Sequence, residues 1–387
     1  MTALWWPFRL RRRPWALKKF VPLWQQTDAL PKHQRDALIR RSSTFELFSE
    51  MSHRFHDLLN QRYGACATPY SVDESLIKLP SRGDLIGEGR SVRKQIWTEL
   101  RLGCKFSAAP TITLAKAASE LAKSHPDYRG LCILERPDRL LLATISVGDV
   151  WGVGRRLAPR LEAAGIRTAW DLAQYDRLSL RRLHGVTLER THLELNGKEC
   201  MRVADMDVSN RQQIMSSRSL KEKPVALVTL MPGVMERVST VAKKLRDHDL
   251  VASEYLLQLS SSPFDRSVRW GHSQRLRLAY PTDDIRELAT AAAKAVELAY
   301  RPGVPIGRVT VGALDPCNRD ECQLGLFDAP VRKGADKLMA GIKAIQSKYG
   351  THSLQIAAQK LGDRSADNGA RHSPRSLTRW EEIPSVR

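Results

Sequence analysis

The stretch that most limits what this chain can fold into is Val147–Ala173, VGDVWGVGRRLAPRLEAAGIRTAWDLA. Gly152-Val153-Gly154 lies between two segments of apolar periodicity. In the second segment Leu157, Leu161 and Ala164 share one helical face, and Gly165 stands where a helix would stop. The spacing predicts two short helices joined by a glycine hairpin. The start of the second helix would present backbone N–H groups without an intrahelical partner, and glycine would let another backbone come close. Arg155 and Arg156 follow at once and add positive charge. Such a turn suits a phosphate chain held without reading bases, and Gly152, Val153, Gly154, Arg155 and Arg156 would touch it. An ordinary helical hairpin with glycines in its turn is the alternative. The coincidence of turn, arginines and Gly165-Ile166 stop favours the phosphate reading.

Charge points to the same class of partner. Among 387 residues there are 62 Lys and Arg against 42 Asp and Glu, a net +20. An excess of this size suits a polyanion. A membrane surface is the competing polyanion, but no run approaches the roughly 18 apolar residues of a spanning helix. The opening MTALWWPFRLRRRPWALKKF interleaves tryptophans with arginines and lacks the apolar core of a signal peptide. It reads as a solvated tail. Cys66, Cys104, Cys132, Cys200, Cys317 and Cys322 form no CxxC pair, so the expectation is reduced thiols in a cytosolic protein.

From Thr44 the pattern sharpens. Phe45, Phe48, Met51, Phe55, Leu58 and Leu59 predict an amphipathic helix over 43–62. In YSVDESLIKL, Asp73 and Glu74 lie side by side in an apolar strand or hairpin. Adjacent strand residues face opposite ways, so both can hold a Mg²⁺ only where the strand ends or bends. Solvated acids in a turn are the alternative. Helices are predicted over 90–101 and 113–123, with strands over 102–108 and 131–134, which gives an α/β sheet. Lys116 and Lys123, seven apart, share a face of the second helix and are either solvated or phosphate contacts.

After the hairpin, 178–195 reads as one helix. A polar linker, 198–210, leads to strand, helix, strand, strand, helix, strand over 212–314, a split-βαβ sheet with helices on one face. Arg211, Arg218, Arg269, Arg275 and Arg277 are candidates to line its open face. Beyond Pro316, QLGLFD stands out in a polar loop. Gln323, Leu324, Leu326 and Phe327 look like an anchor for an apolar pocket on a partner, or else fold back on their own domain. A weak helix over 335–346 precedes a tail expected to be disordered.

Taken together, TFELFSEMS, YSVDESL, SAAPTITLAKAASELAK, DVWGVGRRL with GIRTAWDLA, LERTHLELNG, QQIMSSRS, SPF, QLGLFD and SPRSLTRW resemble the UmuC-type catalytic subunits of bacterial SOS lesion-bypass polymerases, which are Y-family DNA polymerases. The resemblance runs over about 42–387. It implies an α/β and α+β multidomain fold. The parts would be an unrelated basic segment (1–41), a partial palm (42–145), a helix-hairpin-helix thumb (146–200), a linker (201–210), a split-βαβ little finger (211–315), and a clamp-binding loop with a C-terminal tail (316–387). By the same resemblance, Asp73 and Glu74 are catalytic and hold Mg²⁺, Lys123 reaches the incoming triphosphate, and Gln323–Phe327 docks on the sliding clamp. The implied chemistry is two-metal nucleotidyl transfer during error-prone translesion synthesis. The implied partners are damaged primer–template DNA, the clamp, a processed UmuD-type dimer and a RecA filament, in the cytoplasm at the nucleoid and away from membranes.

One departure stands out. Family members open on a strand that supplies the first metal-binding aspartate and an aromatic residue, and a fingers segment then brings Tyr and Arg. Residues 1–41 show nothing like it, and Asp28 lies in QQTDALP. The expectation is an N-terminally truncated, catalytically impaired chain, with a non-catalytic DNA- and clamp-binding adaptor or a polymerase remnant as the alternative.

Overall fold

The computed structural model describes residues 2–5, 23–28, 30–39, 44–80, 83–203, 213–220, 222–265, 268–322, 332–351 and 353–359, with side-chain detail from residue 23 onward. Two compact units divide near residue 208.

The first unit is built on a five-stranded sheet in the order β2-β3-β1-β4-β5: β1 Thr2–Trp5, β2 Ala67–Ser71, β3 Glu74–Ile77, β4 Lys105–Ala108 and β5 Leu131–Ile133. Only β4 and β5 run parallel. Strand period two sorts the side chains. Ile77, Phe106 and Ala108 pack under the helices α3 (Phe45–Tyr63) and α4 (Leu85–Leu100). Leu76 and Cys132 join the core of α5 (Ile112–Ser124). Each helix has a local reason to start or to sit close. The Asp84 carboxylate caps α4 by accepting from Gly87 N–H, and Thr111 Oγ1 caps α5 by accepting from Leu114 N–H. On α4, Gly89 lets the helix settle on the sheet; a Cβ there would lie 2.6 Å from the Phe106 ring.

The N-terminal segment departs from the expectation of an unrelated tail. Its backbone at 2–5 is the middle strand of the sheet, paired with β3 on one side and β4 on the other. Two short helices, α1 (Leu23–Thr27) and α2 (Lys32–Asp36), follow. Four residues are too few to show a period, which is why the pattern gave no sign of a strand.

A helical region continues from this sheet without a break in the core: α6 (Arg139–Leu142), α7 (Ala158–Ala163), α8 (Ala169–Gln174), α9 (Arg177–His184) and α10 (Val186–Leu195). Leu161, Leu172, Leu180 and Leu188 belong to the same buried cluster as Leu114 and Leu121 of α5. Each fully buried leucine contributes roughly 1.5–3 kcal/mol of apolar burial. Glu194, fully buried, ties the two regions. Its carboxylate accepts from Thr113 N–H (2.9 Å) and Oγ1–H (2.8 Å) and from Cys200 and Met201 N–H. Four donors and the N-terminal end of α5 make a buried charge tolerable there.

Two details of this region correct the sequence reading. The segment before Gly152 is a single 3-10 turn, Val147–Asp149, not a helix. The expected helix over 178–195 is broken at Gly185 (φ +84), which ends α9 and begins α10.

The second unit follows the predicted order. Strands β6 (Gln213–Ser219), β7 (Leu250–Ser260), β8 (Gly271–Thr282), β9 (Arg308–Leu314) and β10 (Cys317–Asn318) carry α11 (Leu227–Asp247) and α12 (Ile285–Ala299). β9 lies antiparallel between β6 and β7, the split-βαβ arrangement, while β8 and β10 both pair with β7. Both helices cover one face through Leu230, Val238, Leu245, Leu288 and Val296. A further helix, α13 (Ala335–Tyr349), packs on the same core through Met339. Arg319 holds it by pairing with Asp283 and Asp336, and also with Asp249.

Candidate active site and nucleic-acid surfaces

The two carboxylates singled out in the sequence sit at the β2–β3 hairpin. Asp73 lies in its turn and accepts from Ser71 Oγ–H at 2.8 Å. Glu74 opens β3. Period two then places Glu74 on the face of Leu76, toward α5, and Ser75 on the face of Ile77, toward α3.

Each face supplies one clamp. On the α5 side, Lys116 Nζ donates to Glu74 Oε1 at 2.5 Å, with the side chains only 10% and 15% exposed. The same ammonium lies 3.9 Å from the centre of the Tyr70 ring, a cation–π contact. Tyr70 OH accepts from Trp151 Nε1–H at 2.9 Å, so the residue before Gly152 reaches the hairpin strand. Burial pulls the Lys116 pKa below the usual lysine range, with Glu74 acting in the opposite sense. On the α3 side, His56 bonds to the Ser71 carbonyl through Nε2 (2.9 Å) and to Ser75 Oγ through Nδ1 (2.7 Å). A carbonyl only accepts, so Nε2 carries the proton and Nδ1 of the neutral ring accepts from the serine. Burial lowers the His56 pKa, favouring that neutral ring.

Lys123, read as a triphosphate contact, lies in the last turn of α5 and bonds to Glu120 at 2.8 Å. Its charge opposes that of Lys116, seven residues earlier on the same helix.

A pair of Mg²⁺ ions would need more oxygen donors than the hairpin supplies. Strand β1 runs directly beside β3, with Trp5 opposite Glu74 and Leu4 opposite Ser75. None of its residues, Thr2, Ala3, Leu4 or Trp5, carries a carboxylate. Among the described residues no group of three or more His, Cys, Asp or Glu converges on one point. Two carboxylates, one already neutralised by lysine, do not fit a two-ion centre, which needs an oxygen shell around each ion.

The glycine hairpin is formed as the pattern predicts at its second half. Gly152 (φ +92) needs its conformation, and a Cβ there would meet Thr191 Oγ1 at 2.9 Å. Val153 is buried and its N–H donates to Val150, while Gly154, Arg155 and Arg156 are exposed. The Gly154 carbonyl receives Leu157 and Ala158 N–H and so launches α7. At the far end Gly165 N–H reaches Glu162 and Ile166 N–H reaches Leu161, a Schellman stop.

On the second unit, Arg275 and Arg277 alternate with Leu276 and Leu278, which pack on the core, so the arginines point to the open face. Arg269 is exposed before β8. Arg218 is a correction. Ile214 and Ser216 on the same strand are buried, and period two puts Arg218 on their helix-covered side, where it pairs with Glu236 of α11 at 3.0 Å. Arg211 and the segment Gln323, Leu324, Leu326, Phe327 lie outside the described residues.

Sequence reasoning missed the clamps: Lys116, Tyr70, Trp151 and His56. The spacing of Lys116 and Lys123 was the one available signal, and it did not say which partner each would meet.

Three stretches match family profiles: residues 19–120 the impB/mucB/samB family, 211–326 its C-terminal domain, and 336–386 a domain of unknown function. The first match takes in 19–41, part of the segment expected to be unrelated. The chain is 32% identical to Protein UmuC of Salmonella typhimurium over 365 residues, covering 92% of this chain and 86% of that one. It is 24% identical to DNA polymerase IV of Bacillus anthracis over 356 residues, covering 90% and 82%. A Y-family DNA polymerase chimera of Dbh and Dpo4 superposes with a TM-score of 0.54 at 16% identity, covering 71% of this chain and 78% of that chain.

Proposed function

The chain belongs to the impB/mucB/samB family, the UmuC-type Y-family DNA polymerases, and on that premise we propose that it is a DNA-holding subunit of error-prone translesion synthesis in the SOS response whose own nucleotidyl-transfer centre is impaired. One observation carries the impairment: the strand beside Glu74 offers Thr2, Ala3, Leu4 and Trp5, and no carboxylate. Asp73 and Glu74 remain as the acidic residues of the centre, in a palm formed by the first sheet, with Lys123 two turns along α5 from Lys116.

DNA would be held at two places. The turn Gly152–Arg156, in a thumb formed by α7–α10, offers an exposed glycine and two exposed arginines to a backbone phosphate. The open sheet of the second unit, a little finger, offers Arg275 and Arg277. Gln323, Leu324, Leu326 and Phe327 would dock on the sliding clamp, while a UmuD-type dimer and a RecA filament complete the assembly in the cytoplasm. Among the described residues no helix is long and apolar enough to cross a membrane.

Primer extension on a primed template with Mg²⁺ and four dNTPs is the direct test. The expected result is tight, salt-sensitive DNA binding with extension near background, unchanged by Asp73→Asn. Robust extension that Asp73→Asn abolishes would overturn the impairment. Replacing Leu326 and Phe327 by Ala should remove clamp binding and leave DNA affinity intact.

A further inference from the structure

The carboxylate hairpin is neutralised from within the chain. Lys116 rises from the middle of α5, a helix buried along most of its length, so its backbone position is fixed by the core. Its ammonium meets Glu74 on one side and the Tyr70 ring on the other. Tyr70 is itself held by the indole N–H of Trp151. A lysine so placed cannot swing away without giving up both contacts, and a long side chain fixed at its base has little freedom left to lose.

The consequence concerns ions. A hard divalent cation needs carboxylate oxygens that are free to turn toward it. At Glu74 such a cation would lie beside a positive charge in a poorly hydrated place, where like charges repel more strongly than in water. Asp73, in the turn, accepts from Ser71 Oγ–H and also feels the charge of Lys116, and Mg²⁺ is not held by one such group alone.

We propose that Lys116 is a positioning residue and the resident counter-cation of Glu74: it keeps the Asp73–Glu74 hairpin assembled without a divalent ion and keeps such an ion off Glu74. This deepens the impaired-centre reading by adding a second, separable cause to the missing carboxylate of β1.

The test is Mn²⁺ binding to the full DNA-free chain, followed by electron paramagnetic resonance, with thermal melting in Mn²⁺ or EDTA alongside. Wild type should show no site that depends on Glu74, and its melting temperature should not respond to Mn²⁺. Lys116→Met, which keeps the bulk and removes the charge, should gain one Mn²⁺ site at least tenfold tighter than any in wild type. Glu74→Gln in that background should remove the gain, and Lys116→Arg should behave as wild type. A melting temperature that rises with Mn²⁺ in Lys116→Met alone would separate ion exclusion from mere packing. Lys116→Gln serves as a second charge-free variant should Lys116→Met not fold. The proposal is overturned if wild type already binds Mn²⁺ through Glu74, or if the charge-free variant shows no gain. Either result would leave the primer-extension reading standing, because that rests on β1.

Discussion

The two sheets of this chain are dressed differently. The first is covered on both faces, by α3 and α4 on one and α5 on the other, while among the described residues the second carries its helices on one face only. A sheet buried on both sides can offer chemistry only where a strand ends, and its two acids accordingly sit at a hairpin turn. A sheet left open on one side offers an area. Function at a point depends on every residue there, so on the proposed reading a strand β1 without a carboxylate would alter the whole site. Function over an area is a sum of similar contacts and degrades gradually.

The largest expected effect lies inside the doubly covered unit. Glu194→Ala strands the two buried Thr113 donors and leaves the part-buried Cys200 and Met201 N–H groups to water, and unpaired buried groups cost about 1–3 kcal/mol each. Urea unfolding should show a loss of about 2 kcal/mol or more, from the two buried donors. A near-neutral result would mean that this region tolerates change as an open surface does. Next comes the open sheet. Replacing Arg275 and Arg277 by Ala should each lower the slope of log affinity against log salt by about 1, with DNA affinity falling uniformly across sequences. An unchanged slope would take DNA off that face.

Arg218→Ala sharpens the contrast between the two sides of one strand. It breaks a part-exposed pair with Glu236, a loss of about 0–1 kcal/mol, and should leave the salt slope untouched. A falling slope would put Arg218 back among the DNA contacts. The smallest effect is a pH dependence. Burial depresses the folded pKa of His56 below the ordinary 6.5. The unfolded chain therefore takes up a proton first as pH falls, and the stabilising contribution, complete above about 6.5, is lost on acidification. His56→Gln should flatten that part of the stability profile, as followed by thermal melts between neutral and mildly acidic pH.

Much of this architecture could be read in advance because its signals were local. Gly165 and Gly185 are visible as stops, although the second was read through, and the order of elements over 213–314 follows from alternation and periodicity. Arg218 was misplaced for want of a parity check: Ile214 and Ser216 already fix which side of β6 is buried. The strand at 2–5 and the clamps on the acidic hairpin were not legible for a different reason. A four-residue strand is defined by its neighbours, and Lys116, Tyr70 and Trp151 meet only because α5, the β2 edge and the turn before Gly152 are brought together by the core.

That core has a mechanical corollary. From Leu76 through α5 to Val203, the buried side chains form one cluster, with Glu194 bridging its two halves. A sheet region and a helical region so joined share their unfolding and cannot swing as separate plates. Pulled from residues 74 and 170 in an optical trap, they should give way in one rupture, so neither half can serve as a hinged arm to the other.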